Sequence, residues 1–283
     1  MENSSGTIIK ATLVILILCA AFVLPAKAQS QSQPQPPAPS QSPAPAANSA
    51  AKPVLVELFT SEGCSDCPPA EAIAVKMEKQ PLRGIDLIVL EEHVDYWNHD
   101  GWVDPYSSAE WTARQREYVS KVGGNSPYSP EMVVDGESQF VGSNGRAAQQ
   151  AIEKAASQPE TNITISEASA DPKDAADFKI TAGKLQGDAA GDPVEVWIAI
   201  TEDGLHSSVS AGENAGHTLY HAAVLRSLHK IGSAQASGDA SFTGDAHAKL
   251  SSKWNRQNLN VVVFLQDKKT LKVLGVASTK LSS

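Results

Sequence analysis

Cysteine is scarce in this chain: among 283 residues it occurs only at Cys19, Cys64 and Cys67. Three thiols cannot staple a protein of this size, so the core must come from apolar burial rather than from a disulfide framework. Positive charge is short as well. Lys and Arg number 23 against 32 Asp and Glu, a formal net charge of -9, which argues against nucleic acid or an anionic membrane as partner. The sequence has no glycine-rich phosphate loop, no serine nucleophile elbow and no HExxH pair. Nucleotide enzymes, lipases and the zinc proteases built on those motifs therefore find no support. Long apolar runs are missing except for Ala11 to Leu24, which is short for a membrane span.

That run reads instead as part of an export signal. Lys10 precedes it, and Ala26-Lys27-Ala28 offers a small-x-small cleavage site ahead of Gln29. Residues 1–28 are thus expected to be a signal peptide cut between Ala28 and Gln29, leaving an exported chain, periplasmic or secreted, with no membrane span. Lipidation at Cys19 is the alternative; Leu18 is bulky where such sites want a small residue. Residues 29–52 are almost entirely Gln, Ser, Pro and Ala. They bury too little apolar area to offset their ordering entropy and read as a disordered linker. Removing the signal removes Cys19. Only Cys64 and Cys67 remain.

What is present is organised around Pro53 to Glu78. The β-prone run Val54-Leu55-Val56-Glu57-Leu58-Phe59 leads into the polar turn Thr60-Ser61-Glu62-Gly63, then Cys64-Ser65-Asp66-Cys67, then Pro68-Pro69 and a helical pattern. Proline suits a first helical turn, where its missing N–H costs nothing. Both thiols are expected on that first turn. There the unpaired N–H groups and the positive dipole end stabilise a thiolate, the reactive form of cysteine.

Downstream, Ile85 to Leu90 is a continuous apolar strand, and Glu91-Glu92-His93-Val94-Asp95-Tyr96-Trp97 follows at its end. Strand, helix, strand predicts a right-handed parallel crossover that brings the cysteines, His93 and Asp95 to one sheet edge. Ser108 caps a predicted helix over Ala109 to Val122, stopped by Gly123-Gly124. Asp135-Gly136 marks a hairpin between Glu131–Val134 and Gln139–Gly142, and a last helix runs from about Arg146 to Ala156. From Thr161 on, short β-prone runs recur: 162–166, 178–182, 194–201, 209–211, 218–225, 259–266 and 271–278. Seven such runs without helices between them predict an antiparallel sandwich.

The CxxC ahead of a helix, with a proline at the start of the later hairpin, resembles the thioredoxin superfamily. More closely, VELFTSEGC-x-x-CPPA, HVDYWNHDGW-x-DPY, RQREY and SP-x-MVVDG resemble a family of exported bacterial proteins of unassigned function with a thioredoxin-like domain. The expected fold is therefore an α/β thioredoxin-like domain over 53–158, followed by an all-β, sandwich-like domain over 160–283. The resemblance implies a cis proline beside the cysteines, with Pro130 the candidate, and it makes Cys64 the attacking and Cys67 the resolving thiol. It also compares Glu57 with the buried carboxylate that thioredoxins carry before their CxxC. Glu57 stands seven residues before Cys64 where the thioredoxin carboxylate stands six, and one position changes the face of a strand.

Function then divides. The leading expectation is a thiol–disulfide oxidoreductase with Cys64, Cys67, Pro130 and Glu57 as site residues. It needs no cofactor beyond its own disulfide and acts on a protein thiol or disulfide partner. A non-enzymatic binding module with a permanent Cys64–Cys67 disulfide is the alternative. So is a copper or zinc chaperone using Cys64, Cys67 and His93, since thiolates and imidazole suit those ions. Asp66 sits beside the thiols and opposes the helix-dipole effect. Trp97, Trp102 and Tyr106 either line a groove or pack the loop. His217 and His221 are set at even spacing on a predicted strand, without a third ligand nearby in sequence.

Overall fold

The computed structural model describes residues 51–80, 82–171, 175–186, 193–235 and 239–281. The expected signal peptide, with Cys19, and the linker up to residue 50 lie outside the described residues. The order is β1 (Lys52–Thr60), α1 (Pro68–Lys79), β2 (Ile85–His93), α2 (Ala109–Tyr118), β3 (Glu131–Val134), β4 (Ser138–Val141) and α3 (Gly145–Ala156). Strands then follow alone: β5 (Ile163–Asp171), β6 (Ala175–Gly183), β7 (Val194–Glu202), β8 (His206–Ser208), β9 (Thr218–Tyr220), β10 (Val224–Ala234), β11 (Ala240–Lys249), β12 (Leu259–Asp267) and β13 (Val273–Lys280).

Eight of these strands form one mixed sheet in the order β13-β12-β7-β10-β2-β1-β3-β4. β11-β6-β5 make a second sheet, and β8-β9 a short third. This corrects the expected fold class. The described chain is mostly β, and it is not an α/β thioredoxin-like domain followed by a separate sandwich. The physical reason lies in β2. Its apolar run is buried on both faces and needs neighbours on both edges. β1 supplies one edge in parallel register; β10, from far downstream, supplies the other, through Val224 opposite Glu91 and the Glu91 amide bonded to the Ala223 carbonyl. Sequence order hides such a neighbour.

Alternation along β2 sends Val89, Glu91 and His93 to one face and Ile88, Leu90 and Glu92 to the other. On the first face, Val54, Val56, Leu58 and Val89 pack against Ala70 and Ala74 of α1 and Ala148 and Ile152 of α3. On the second, Leu55, Ile88 and Leu90 meet Trp111 of α2 together with Ala199, Leu225, Val262 and Phe264 of later strands. A further core joins β6 and β11 to β7 and β12 through Phe178, Ile180, Ile198, Ile200, Val261 and Val263.

Local signals behave as local physics requires. The Ser108 side chain accepts the Glu110 amide and starts α2, which stops at Tyr118 and continues as a π-helical turn, Val119–Gly123. Asp135 and Gly136 both have positive φ, as the tight β3–β4 turn demands. A Cβ on Gly136 would stand 1.9 Å from the Leu271 carbonyl oxygen, so this turn also packs too closely for a side chain. Residues 209–211 lie outside any strand, and β11, rich in Ala, Gly and Asp, is a strand that composition conceals. Among the described residues no helix is long and apolar enough to cross a membrane.

Candidate functional site

α1 begins at Pro68, with proline in its first two positions, so Cys67 is its N-cap and Cys64 lies in the turn before it. That turn is held by the backbone: the Cys64 amide donates to the Ser61 carbonyl, and the Cys67 amide to the Cys64 carbonyl. The two sulfurs form a disulfide across Cα atoms 5.4 Å apart, comfortable for such a bond. Facing it, the Ser129–Pro130 peptide is cis, and the Ser129 carbonyl oxygen stands 3.8 Å from Cys64 Sγ. Trp97 Nε1 donates to Ser129 Oγ at 2.6 Å, and Gln115 Nε2 donates to the Tyr128 carbonyl and to Glu131, which fixes the turn on both sides.

Cys64 and Cys67 are buried, while Ser65 and Asp66 between them are exposed. The loop before β9 is tied to this turn through its backbone. Asn214 Nδ2 donates to the Glu62 and Cys64 carbonyls at 2.9 and 3.0 Å, and Glu213 accepts the Ser65 amide. No sequence rule would link positions 150 residues apart, and this contact was not foreseen.

Glu57 is placed elsewhere. It shares the face of Phe59 and pairs with Arg114 of α2, whose Nε donates to it at 2.6 Å, while Tyr118 donates to its other oxygen. Gln266 of β12 donates to the Tyr118 hydroxyl at 2.9 Å and closes the network. Burial pushes the neighbouring Glu92 carboxyl well above the usual range, reinforced by the Glu57 charge and opposed by Arg114. Burial and the Glu57 charge likewise raise the Tyr118 phenol. The hydrogen bonds of Glu57 run to α2 and not to the cysteines.

A second buried polar cluster lies under α1. His93 Nδ1 meets Asp104 Oδ2 at 2.7 Å, and His221 Nε2 meets Glu62 Oε1 at 3.0 Å. Thr60 donates to Glu71 Oε1 at 2.7 Å. Burial alone disfavours charge on both members of the His93–Asp104 pair; their mutual attraction outweighs it, raising the imidazole and lowering the carboxyl. Burial lifts the Glu71 carboxyl to about 7 against the pull of His221. The rings of His93 and His221 meet edge to face at 4.7 Å, and Tyr106 lies 5.4 Å from each. Trp102 Nε1 donates to Glu62 at 3.0 Å. The aromatics of the 97–106 loop are thus engaged with Ser129 and with this cluster.

Glu91, His93 and His221 form the group among the described residues that is able to hold a cation, and neither cysteine belongs to it. Sequence reading passed over Glu62, Glu71, Glu91, Asp104 and Asn214. One signal was available: Glu91-Glu92-His93 continues an apolar central strand without a turn, and charges in that setting are buried and partnered. His217, by contrast, is exposed.

The chain belongs to DUF1223, a family of proteins of unknown function, whose model matches residues 55–266. No curated protein matches it. Among solved structures, a structural-genomics protein from Agrobacterium tumefaciens is similar at 25% identity and a TM-score of 0.61, over 84% of this chain and 97% of its own. HBP35 of Porphyromonas gingivalis is similar at 16% identity and a TM-score of 0.58, over 83% and 77% respectively, a likeness of fold alone.

Proposed function

We propose that this DUF1223 protein is an exported thiol–disulfide oxidoreductase acting through Cys64 and Cys67. The supporting observation is the position of the disulfide, at the N-cap of α1 with the Ser129 carbonyl 3.8 Å from Cys64 Sγ. The helix N-terminus favours a thiolate at this end. An extended partner segment would lie alongside Ser129, and the exposed Ser65-Asp66 tip is the point of approach. Export rests on the N-terminal pattern of Lys10, the 11–24 run and Ala26-Lys27-Ala28.

In the reduced protein the Cys64 thiolate attacks one sulfur of a partner disulfide. A mixed disulfide forms and the first partner thiolate leaves. Cys67 loses its proton and attacks Cys64 Sγ, the mixed disulfide breaks, and the second partner thiolate departs. The partner gains two electrons, its two thiolates take up the proton released by Cys67 and one from solvent, and the Cys64–Cys67 bond is restored. A partner dithiol drives the same steps backwards.

Glu57 has no part in this scheme, because its oxygens are held by Arg114 and Tyr118. Both cysteines are buried and Asn214 and Glu213 anchor their turn, so the turn must open before a partner sulfur reaches Cys64. The test is the reduction potential of the pair, together with turnover of insulin or scrambled ribonuclease, with Cys64→Ser as control. Turnover that Cys64→Ser abolishes supports the proposal. A potential below about -300 mV with no turnover means a permanent structural disulfide and sinks it.

A further inference from the structure

His93 Nε2, His221 Nδ1 and both oxygens of Glu91 are buried and have no hydrogen-bond partner, and all three side chains are shielded from solvent. One unpaired buried polar atom costs about 1–3 kcal/mol, more for a charged group. One oxygen of Glu91, His93 Nε2 and His221 Nδ1 lie within 4.8 Å of one another, so a single partner can serve all three. The spacing identifies its kind. Glu91 Oε2 is 3.7 Å from His221 Nδ1 and 3.9 Å from His93 Nε2, and Glu71 Oε2 is 3.8 Å from His221 Nδ1. These distances are too long for hydrogen bonds of about 2.7–3.2 Å. They lie a few tenths of an ångström above the edge of a tetrahedron drawn around a zinc ion, about 3.3–3.6 Å for bonds of about 2.0–2.2 Å.

From this geometry we infer that Glu91, His93 and His221 are the protein ligands of a zinc site, with Glu71 beside it. The second layer is already in place. A ligating histidine ordinarily turns its other ring nitrogen to a carboxylate, which fixes the tautomer and the ring. Here both histidines do so, His93 Nδ1 to Asp104 and His221 Nε2 to Glu62. In each ring the nitrogen facing away from that carboxylate is the one left unpaired. Two imidazoles and a carboxylate suit zinc, and the full burial of all three side chains fits a centre that fastens strands together rather than one that meets a substrate.

The position supplies the reason for such a centre. Glu91 and His93 come from β2, and His221 from the segment that leads into β10. β10 joins β2 through a single paired residue, Val224 opposite Glu91. Zinc would fasten that narrow seam and steady the turn before the cysteines through Glu62, which bonds His221. The inference does not rest on thiol chemistry, and the cysteines are not ligands.

Purified full-length chain, stripped with chelator and titrated with zinc, is expected to take up one equivalent measured by elemental analysis, with a rise in Tm that chelator reverses. His93→Gln and His221→Gln should each lose stoichiometric zinc, and Asp104→Asn should weaken binding about 10–100-fold. A Cys64→Ser/Cys67→Ser double variant should still bind one equivalent, and its cobalt form should show no sulfur-to-metal charge-transfer band. Failure of wild-type chain to bind zinc overturns the assignment without any appeal to variants. Full retention of zinc in folded His93→Gln and His221→Gln overturns it too, as does loss of zinc in the double-serine variant.

Discussion

Asp135 illustrates how one side chain joins distant strands. Its Oδ1 accepts the Leu55 amide at 2.8 Å, its amide donates to the Leu55 carbonyl, and its carbonyl accepts the Val273 amide. The hairpin turn thereby links β1 to β13. Burial pushes its carboxyl up to about 7, against the Leu55 amide, with Glu160, Glu137 and Glu57 adding to the rise. Lys272 and Lys52 line the same recess and are the nearby cations. Because the folded value lies above the unfolded one, the native state holds its proton more tightly. Stability from this group is therefore full below about pH 4 and is lost as pH rises to about 7. Asp135→Asn keeps the acceptor and tolerates positive φ, but it cannot ionise. Urea unfolding should show equal stability for variant and wild type at pH 4, and an advantage of about 2 kcal/mol for the variant at pH 8, roughly half the full linkage because the side chain is partly exposed. An advantage that does not change with pH would refute the assignment.

At the scale of elements, the loop between β8 and β9 is tied to the turn that carries the disulfide. Asn214 is 6% exposed, and its amide satisfies two carbonyls of the cysteine turn. Asn214→Ala removes both bonds and leaves those carbonyls to water, at roughly 1 kcal/mol each. Dithiothreitol should then reduce the Cys64–Cys67 bond about 5–30-fold faster than in wild type, as followed by thiol release, with a fall in Tm of roughly 4–8 °C. An unchanged rate would mean that this loop does not control access. The elements themselves were legible wherever the signal was short-range. The β1–α1 passage follows from an apolar run, two thiols and two prolines; α2 follows from Ser108; the β3–β4 hairpin follows from Asp135-Gly136. What escaped was of another kind. Glu71, Glu91 and His221 converge from three segments up to 150 residues apart, and no local rule brings such segments together. Asn214 escaped for the same reason, since its bonds are to backbone that any sequence would offer.

For the whole molecule, the strands of both halves close one sheet, and that has a consequence for any attempt to divide the chain. Leu55, Ile88 and Leu90 are 0–4% exposed because Ala199, Leu225, Val262 and Phe264 cover them. Gln266 completes the Glu57–Arg114–Tyr118 network from β12, and Leu271 packs with Phe59, Val133 and Tyr118. Cutting the chain near residue 158 would strip the apolar cover from one face of β1 and β2 and the outer edge from β2. Each large side chain so exposed forfeits about 1.5–3 kcal/mol, and the three leucines and isoleucines alone approach the total stability of an average domain. It would also leave a buried arginine–carboxylate network open to water on one side. A fragment spanning 53–158 is therefore expected to lack a cooperative thermal transition and near-ultraviolet circular dichroism, whereas a chain beginning at residue 47 should melt as one unit. A fragment that melts cooperatively with native-like side-chain signals would show that β1–β4 and the three helices carry a sufficient core of their own. The downstream strands would then be an addition to that core and not a part of it.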